Sequence, residues 1–201
     1  MEHSENHITL QGSLMDLPRY SHENHGTRFY SFTLEVPRLS GTVDLLPVIV
    51  PETRLADLDP TAGDMIRVEG QIRSHNIEKE DGRHLQIFVF GSFVSAEEGE
   101  PINDVHLLGS LCRDPVLRRT PLGRDICDAM LAVPRAYHRA DYLPCILWGS
   151  TAQEAGACQC RDRLEIFGRL QSRCYNKVIG ENQYTRIAYE ISAMTARIGG
   201  D

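Results

Sequence analysis

The first hundred residues contain no cysteine and little positive charge, and the whole chain has one tryptophan and no long apolar run. Each shortage excludes something. No stretch approaches the ~18 apolar residues of a membrane-spanning helix, so no membrane association is expected. The opening residues, Met1-Glu2-His3-Ser4-Glu5-Asn6-His7, are polar and acidic and lack the apolar centre of a secretory signal; a cytoplasmic protein is expected. The six cysteines (Cys112, Cys127, Cys145, Cys158, Cys160 and Cys174) form no CxxC pair. Without export, they are expected to be reduced thiols acting as small apolar side chains. Cys158-Gln159-Cys160 leaves one residue between ligands, the wrong spacing for most zinc knuckles, so no metal is expected. Also missing are GxSxG, the P-loop, HExxH and the Rossmann glycine run. His3, His7, His22 and His25 lie in a polar region and read as solvated, and Asp141 and Glu165 show no pairing in sequence. The reading is therefore of a protein that is not an enzyme and needs no cofactor.

Charge is unevenly divided. Residues 1–100 carry 8 Lys and Arg against 17 Asp and Glu, whereas residues 101–201 carry 13 against 11. A polyanionic ligand, if there is one, belongs to the second half.

What the chain does have is an internal repeat, which decides the architecture. Ile8-Thr9-Leu10-Gln11-Gly12-Ser13-Leu14 aligns with Val105-His106-Leu107-Leu108-Gly109-Ser110-Leu111 at an offset of 97. The same offset carries Leu34-Glu35-Val36-Pro37-Arg38 onto Leu131-Ala132-Val133-Pro134-Arg135, and Leu46-Pro47-Val48-Ile49-Val50 onto Leu143-Pro144-Cys145-Ile146-Leu147. It slips to 98 at Gly70 against Gly168, and to 100 where His84-Leu85-Gln86-Ile87 meets Tyr184-Thr185-Arg186-Ile187. Constant offsets within strands, with slips between them, are the mark of a duplication.

Alternation and β-branched enrichment place five strands in the second copy, near 104–112, 125–133, 142–148, 162–174 and 183–198. A short helix fits at Thr151-Ala152-Gln153-Glu154-Ala155. Gly109 and Gly168 fall inside strands, where glycine marks a bulge or bend. The predicted fold class is all-β: two tandem OB-folds, five-stranded Greek-key barrels with at most one short helix each. The expected boundaries are 1–96 for an acidic, degenerate first barrel, 97–102 for a linker and 103–201 for the second barrel.

OB-folds hold single strands by stacking bases on aromatics and lining a groove with cations. Tyr142 and Trp148 lie six residues apart on one strand, hence on one face, with Ile146 between them. At ~3.3 Å per residue they are roughly 20 Å apart. Leu143, Cys145 and Leu147 supply the core on the other face. Tyr137 and Tyr175 sit where loops should emerge after strands two and four, each beside basic residues. Arg118, Arg119, Arg135, Arg139, Arg169, Arg173 and Lys177 are the expected phosphate contacts, with Arg124 and Arg186 adding to the rim.

Four segments carry a family likeness. Asn103-Asp104-Val105-His106-Leu107-Leu108-Gly109-Ser110-Leu111-Cys112-Arg113-Asp114-Pro115 resembles the opening strand of bacterial single-stranded-DNA-binding proteins, and Leu117-Arg118-Arg119-Thr120-Pro121-Leu122-Gly123 the turn after it. Asp141-Tyr142-Leu143-Pro144-Cys145-Ile146-Leu147-Trp148-Gly149 resembles their third strand, and Phe167-Gly168-Arg169-Leu170-Gln171-Ser172-Arg173-Cys174-Tyr175 their fourth. The resemblance covers about residues 102–198. It implies stacking at Tyr137, Tyr142, Trp148 and Tyr175, single-stranded DNA as ligand, and a nucleoid-associated role in replication, recombination or repair. It also implies four barrels per assembly, which a homodimer would supply. Family members end in an acidic tip that recruits replication and repair proteins; this sequence ends Arg197-Ile198-Gly199-Gly200-Asp201, so recruitment by that route is not expected.

The first copy departs from the pattern. By the repeat register Tyr142 falls on Leu45, Trp148 on Pro51, Tyr137 on Ser40 and Tyr175 near Ile77, none aromatic. A structural or partner-binding role is expected there. Two other readings share the fold: a protein-interaction scaffold that has lost nucleic acid, and an RNA binder.

Overall fold

The computed structural model describes residues 6–79, 82–179 and 182–199; the side chains of residues 79, 177–179, 182 and 183 lie outside the described set. Contacts divide the chain into two units. One consists of His7–Arg73 and Ile87–Asp104; the other joins Met1–Asn6 and Ser74–Gln86 to Val105–Asp201.

The first barrel uses β1 (Asn6–Leu14), β3 (Thr27–Pro37), β4 (Val43–Pro51), β5 (Met65–Lys79) and β6 (Gly82–Ala96), with the short β2 (Arg19–Asn24) on the outside of β3. The strand order β3-β4-β6-β5-β1 closes on itself through β1–β3 pairs such as Ser13↔Glu35. The alternating residues Leu10, Phe32, Leu34, Leu46, Val48, Val68 and Val89 are buried inside. A single 3-10 turn, Glu52–Arg54, follows β4.

The second barrel repeats this plan. It uses β7 (Ile102–Leu111), β9 (Asp125–Arg135), β10 (Arg139–Trp148), β11 (Arg163–Ile179) and β12 (Asn182–Ile198), with β8 (Val116–Arg119) flanking β9 and α1 (Gly149–Gly156) after β10. The order β9-β10-β12-β11-β7 closes through Ser110↔Ala132 and Leu111↔Leu131, the counterparts of the pairs that close the first barrel. Leu107, Leu131, Leu143, Leu147, Ile166 and Ile191 fill the interior.

The two glycine bends fall where the sequence places them. A Cβ on Gly109 would lie 2.5 Å from the Ala132 carbonyl oxygen, and one on Gly168 2.2 Å from that of Ser192. The β11–β12 register shifts between Phe167 and Gly168, the bulge of a tightly closed barrel.

Three expectations need correction. Each barrel closes with the five strands expected, but among the described residues each copy carries a sixth, short strand outside it: β2 beside β3, and Val116–Arg119 beside β9 where a turn is expected. Strand four runs to Ile179, not 174, so Tyr175 sits within β11 and not in a loop. Finally, Val48↔Val89 corresponds to Cys145↔Ile191, which makes the last offset 102 rather than 100. A slip of two residues leaves every side chain on its original face, so the hydrophobic pattern does not register it.

Candidate nucleic-acid interface

The site grows from the alternation of β10. Leu143, Cys145 and Leu147 are buried, while Tyr142 and Trp148 point outward and are 47% and 40% exposed. Half-buried Pro144 and Ile146 lie between them on the same face. Cross-strand pairs share a face, so the outward surface can be followed over three strands. Ile146 pairs with Ser192 on β12, and Ser192 with Arg169 on β11. Further along, Glu190 pairs with Gln171, Ala188 with Arg173 and Arg186 with Tyr175. Tyr142, Trp148, Tyr175, Arg169 and Arg173, named separately from the sequence, thus belong to one continuous sheet face.

Local contacts fix the rings. Trp148 donates from Nε1 to Ser192 Oγ at 3.2 Å, holding the indole edge against β12. The Arg173 guanidinium lies 5.8 Å from the centre of the Tyr175 ring, a cation–π contact. Tyr137 is almost wholly exposed at the β9–β10 hairpin, whose tip is built from two left-handed residues, Tyr137 (φ 61) and His138 (φ 53). Its ring stands clear of the core.

The cations are less uniform than their sequence positions suggest. Arg118 is paired with Asp128, from Nη2 to Oδ1 at 3.1 Å and also from Nε. Arg119 donates from Nε to Asp125 Oδ1 at 2.7 Å. Both guanidiniums are pushed above the ordinary arginine value by these carboxylates, and Asp125 is held low in return. Arg135 approaches Asp141 at 3.6 Å and Arg173 approaches Glu190 at 3.8 Å. Arg139 is exposed at the start of β10. The Arg169 Nε is buried and makes no hydrogen bond. The Lys177 side chain lies outside the described residues.

Two features of this face were not named from the sequence. Tyr184 is exposed, with the Arg186 guanidinium 5.8 Å from its ring. Only the register of the long β11–β12 hairpin, Lys177↔Tyr184, puts it on the surface that carries Tyr175. The second is Glu190, a buried carboxylate in the middle of the face, which accepts from Gln171 Nε2 at 2.8 Å.

The first barrel has no aromatic at the matching strand positions, but its outward face is not bare. Phe29 stacks on His22 with centroids 4.8 Å apart and meets Phe90 at 6.0 Å. By repeat register Phe29 corresponds to Ile126, Pro51 to Trp148 and Phe90 to Ser192. The aromatic bulk has moved to the neighbouring strands.

Among the described residues no three His, Cys, Asp or Glu side chains gather into a metal-binding group. Nor is any helix among them long and apolar enough to cross a membrane.

A Greek-key barrel with aromatics and guanidiniums on the outward face of its third, fourth and fifth main strands defines an OB-fold of the nucleic-acid-binding class. The model of the single-strand binding protein family matches residues 102–197. Single-stranded DNA-binding protein B of Bacillus subtilis is 36% identical over 102 residues, covering 47% of this chain and 88% of that protein. The single-stranded DNA-binding protein of Thermus thermophilus is 29% identical over 146 residues, covering 62% of this chain and only 56% of that protein's length. A solved structure of a deletion mutant of the Thermus aquaticus single-stranded DNA binding protein superposes with a TM-score of 0.79 at 25% identity, covering 100% of this chain and 97% of that one. The chain belongs to the single-strand binding protein family, in a form with two OB-folds in tandem.

Proposed function

We propose that this protein binds single-stranded DNA with little sequence preference, on the outward face of β10, β12 and β11. The observation that carries the reading is that continuous face, which brings Tyr142, Trp148 and Tyr175 together with Arg169 and Arg173. Bases stack on these rings and on Tyr137, each contributing roughly 1–3 kcal/mol. Arg139, Arg169, Arg173 and Lys177 meet phosphates, joined by Arg118, Arg119 and Arg135 from the edge, so affinity falls with salt. Nothing in stacking or phosphate contact reads a base edge, and sequence preference is accordingly weak. No cofactor or catalytic step is involved.

A protein of this kind covers exposed single strands during replication, recombination or repair, and would lie with the nucleoid in the cytoplasm. With two barrels per chain, a homodimer supplies four. Light scattering tests that count: a mass of one chain would overturn it.

The site itself is tested by the fluorescence of Trp148 during titration with oligo-dT. Strong quenching that reverses on adding salt is expected. No quenching at micromolar DNA and low salt would remove the proposal and favour a protein-interaction scaffold. Tighter binding of oligo-U would make RNA the ligand.

A further inference from the structure

Ser74–Gln86 belongs to the unit that contains the second barrel, and Ser74 makes contacts there. Ser74 is buried. Its backbone N–H donates to Asp141 Oδ1 at 2.8 Å, and its Oγ accepts the backbone N–H of Tyr142 at 2.7 Å. One residue of the first repeat thus holds two consecutive residues of the strand that carries the stacking rings.

Asp44 and Asp141 are counterparts at the 97-residue offset, and both are wholly buried. A buried carboxylate must be compensated by charge or hydrogen bonds. In the first barrel Arg38 grips Asp44 with two bonds, Nε to Oδ2 at 2.7 Å and Nη2 to Oδ1 at 2.5 Å. Its counterpart Arg135 stands 3.6 Å from Asp141, beyond hydrogen-bond range. Asp141 Oδ1 accepts the Ser74 N–H. The Arg135 side chain is correspondingly more open, 36% exposed against 17% for Arg38.

We infer that Ser74 is a positioning residue of the single-strand site. Ser74 fixes the backbone under Tyr142. By supplying a hydrogen bond to Asp141, it also leaves Arg135 able to turn to a phosphate beside the Tyr142 base. The inference rests on the reading of the outward face as a DNA site, and goes beyond it by assigning a residue of the first repeat to that site.

The test uses the full chain and oligo-dT, with the salt dependence of affinity as readout. Arg135→Ala is expected to weaken binding and to reduce the log–log salt slope by about one, the signature of one lost phosphate contact. The counterpart Arg38→Ala is expected to lower the melting temperature and leave the slope unchanged. Ser74→Ala should weaken binding by about three- to tenfold, with Ser74→Thr, which keeps the hydroxyl, restoring it. If Arg135→Ala lowers only the melting temperature, or if Ser74→Ala binds like the parent, the inference is overturned while Trp148 quenching keeps the site itself intact. If the parent chain does not quench at all, both readings fall. Should Ser74→Ala unfold, amide exchange of Tyr142 in the parent, with and without oligo-dT, decides. Protection that deepens on binding supports the inference, and no change overturns it.

Discussion

Trp148 and Ser192 meet across β10 and β12, the indole Nε1 donating to the serine hydroxyl at 3.2 Å. The bond turns the ring's polar edge toward the sheet and leaves a face to solvent. In the first barrel the same two positions hold Pro51 and Phe90. Proline makes no such bond, and the aromatic stands on the other strand.

Trp148→Ala should therefore remove a stacking platform without touching the core. A weakening of oligo-dT binding by about 1–3 kcal/mol is expected, roughly five- to 150-fold, with the melting temperature little changed. Trp148→Phe should recover much of it. Phe90→Ala in the acidic first barrel is the control and should cost less. Fluorescence anisotropy of labelled oligo-dT measures all three, and equal effects of Phe90→Ala and Trp148→Ala would place DNA on both barrels.

Glu190 puts a carboxylate within the face proposed to bind DNA. Its carboxylate is buried within the outward face, accepting from Gln171 and lying 3.8 Å from Arg173. Glu190→Gln preserves the hydrogen-bonding shape and removes a negative charge from the proposed binding face. Tighter binding, by a few-fold at low salt and converging with the parent at high salt, is expected from screening. Weaker binding would mean that Glu190 chiefly orients Arg173.

Gly168 is a stability prediction. A Cβ there would lie 2.2 Å from the Ser192 carbonyl oxygen and 3.0 Å from the Ala193 Cα, and backbone cannot step aside as a flexible side chain can. Gly168→Ala should cost at least about 1–3 kcal/mol. Gly70, whose Cβ would meet the Phe90 carbonyl oxygen at 2.1 Å, should behave alike in the first barrel. Thermal melts by circular dichroism check both. The Gly123→Ala variant faces no such neighbour and is limited to the strain of its φ of 78.

What was legible in the sequence was whatever depends on alternation and on the repeat. Tyr142 and Trp148 share one face because they are an even number of residues apart, opposite the apolar Leu143, Cys145 and Leu147, and Gly109 and Gly168 stand out because the repeat aligns them with Gly12 and Gly70. Hidden was whatever depends on which strands meet. Ser74 reaches Asp141 across 67 residues of chain, and no local pattern announces such a contact. Arg118 and Arg119 acquire carboxylate partners only because Val116–Arg119 extends and pairs with β9. Tyr184 reaches the candidate face through the length of a hairpin whose sequence offset is ambiguous by two residues.

On β7 and β11, His106 stacks on Phe167 with centroids 4.2 Å apart and shares a 2.9 Å hydrogen bond with Glu165, which Arg197 approaches at 3.2 Å. The His106 bond, aided by the Arg197 charge, holds the Glu165 carboxyl below its ordinary value of 4.5. A carboxyl lowered in the folded state stabilises it in full above the unfolded value, and that contribution is lost as pH falls through the folded one. The contribution of Glu165 should therefore be complete above about pH 5 and decline in more acid solution. Glu165→Gln removes the titrating group, so its melting temperature should fall less steeply than the parent's between about pH 5 and pH 3. Parallel curves for the two proteins would show that the cluster does not contribute to acid sensitivity, leaving Asp125 and Asp64, also held low, to account for it.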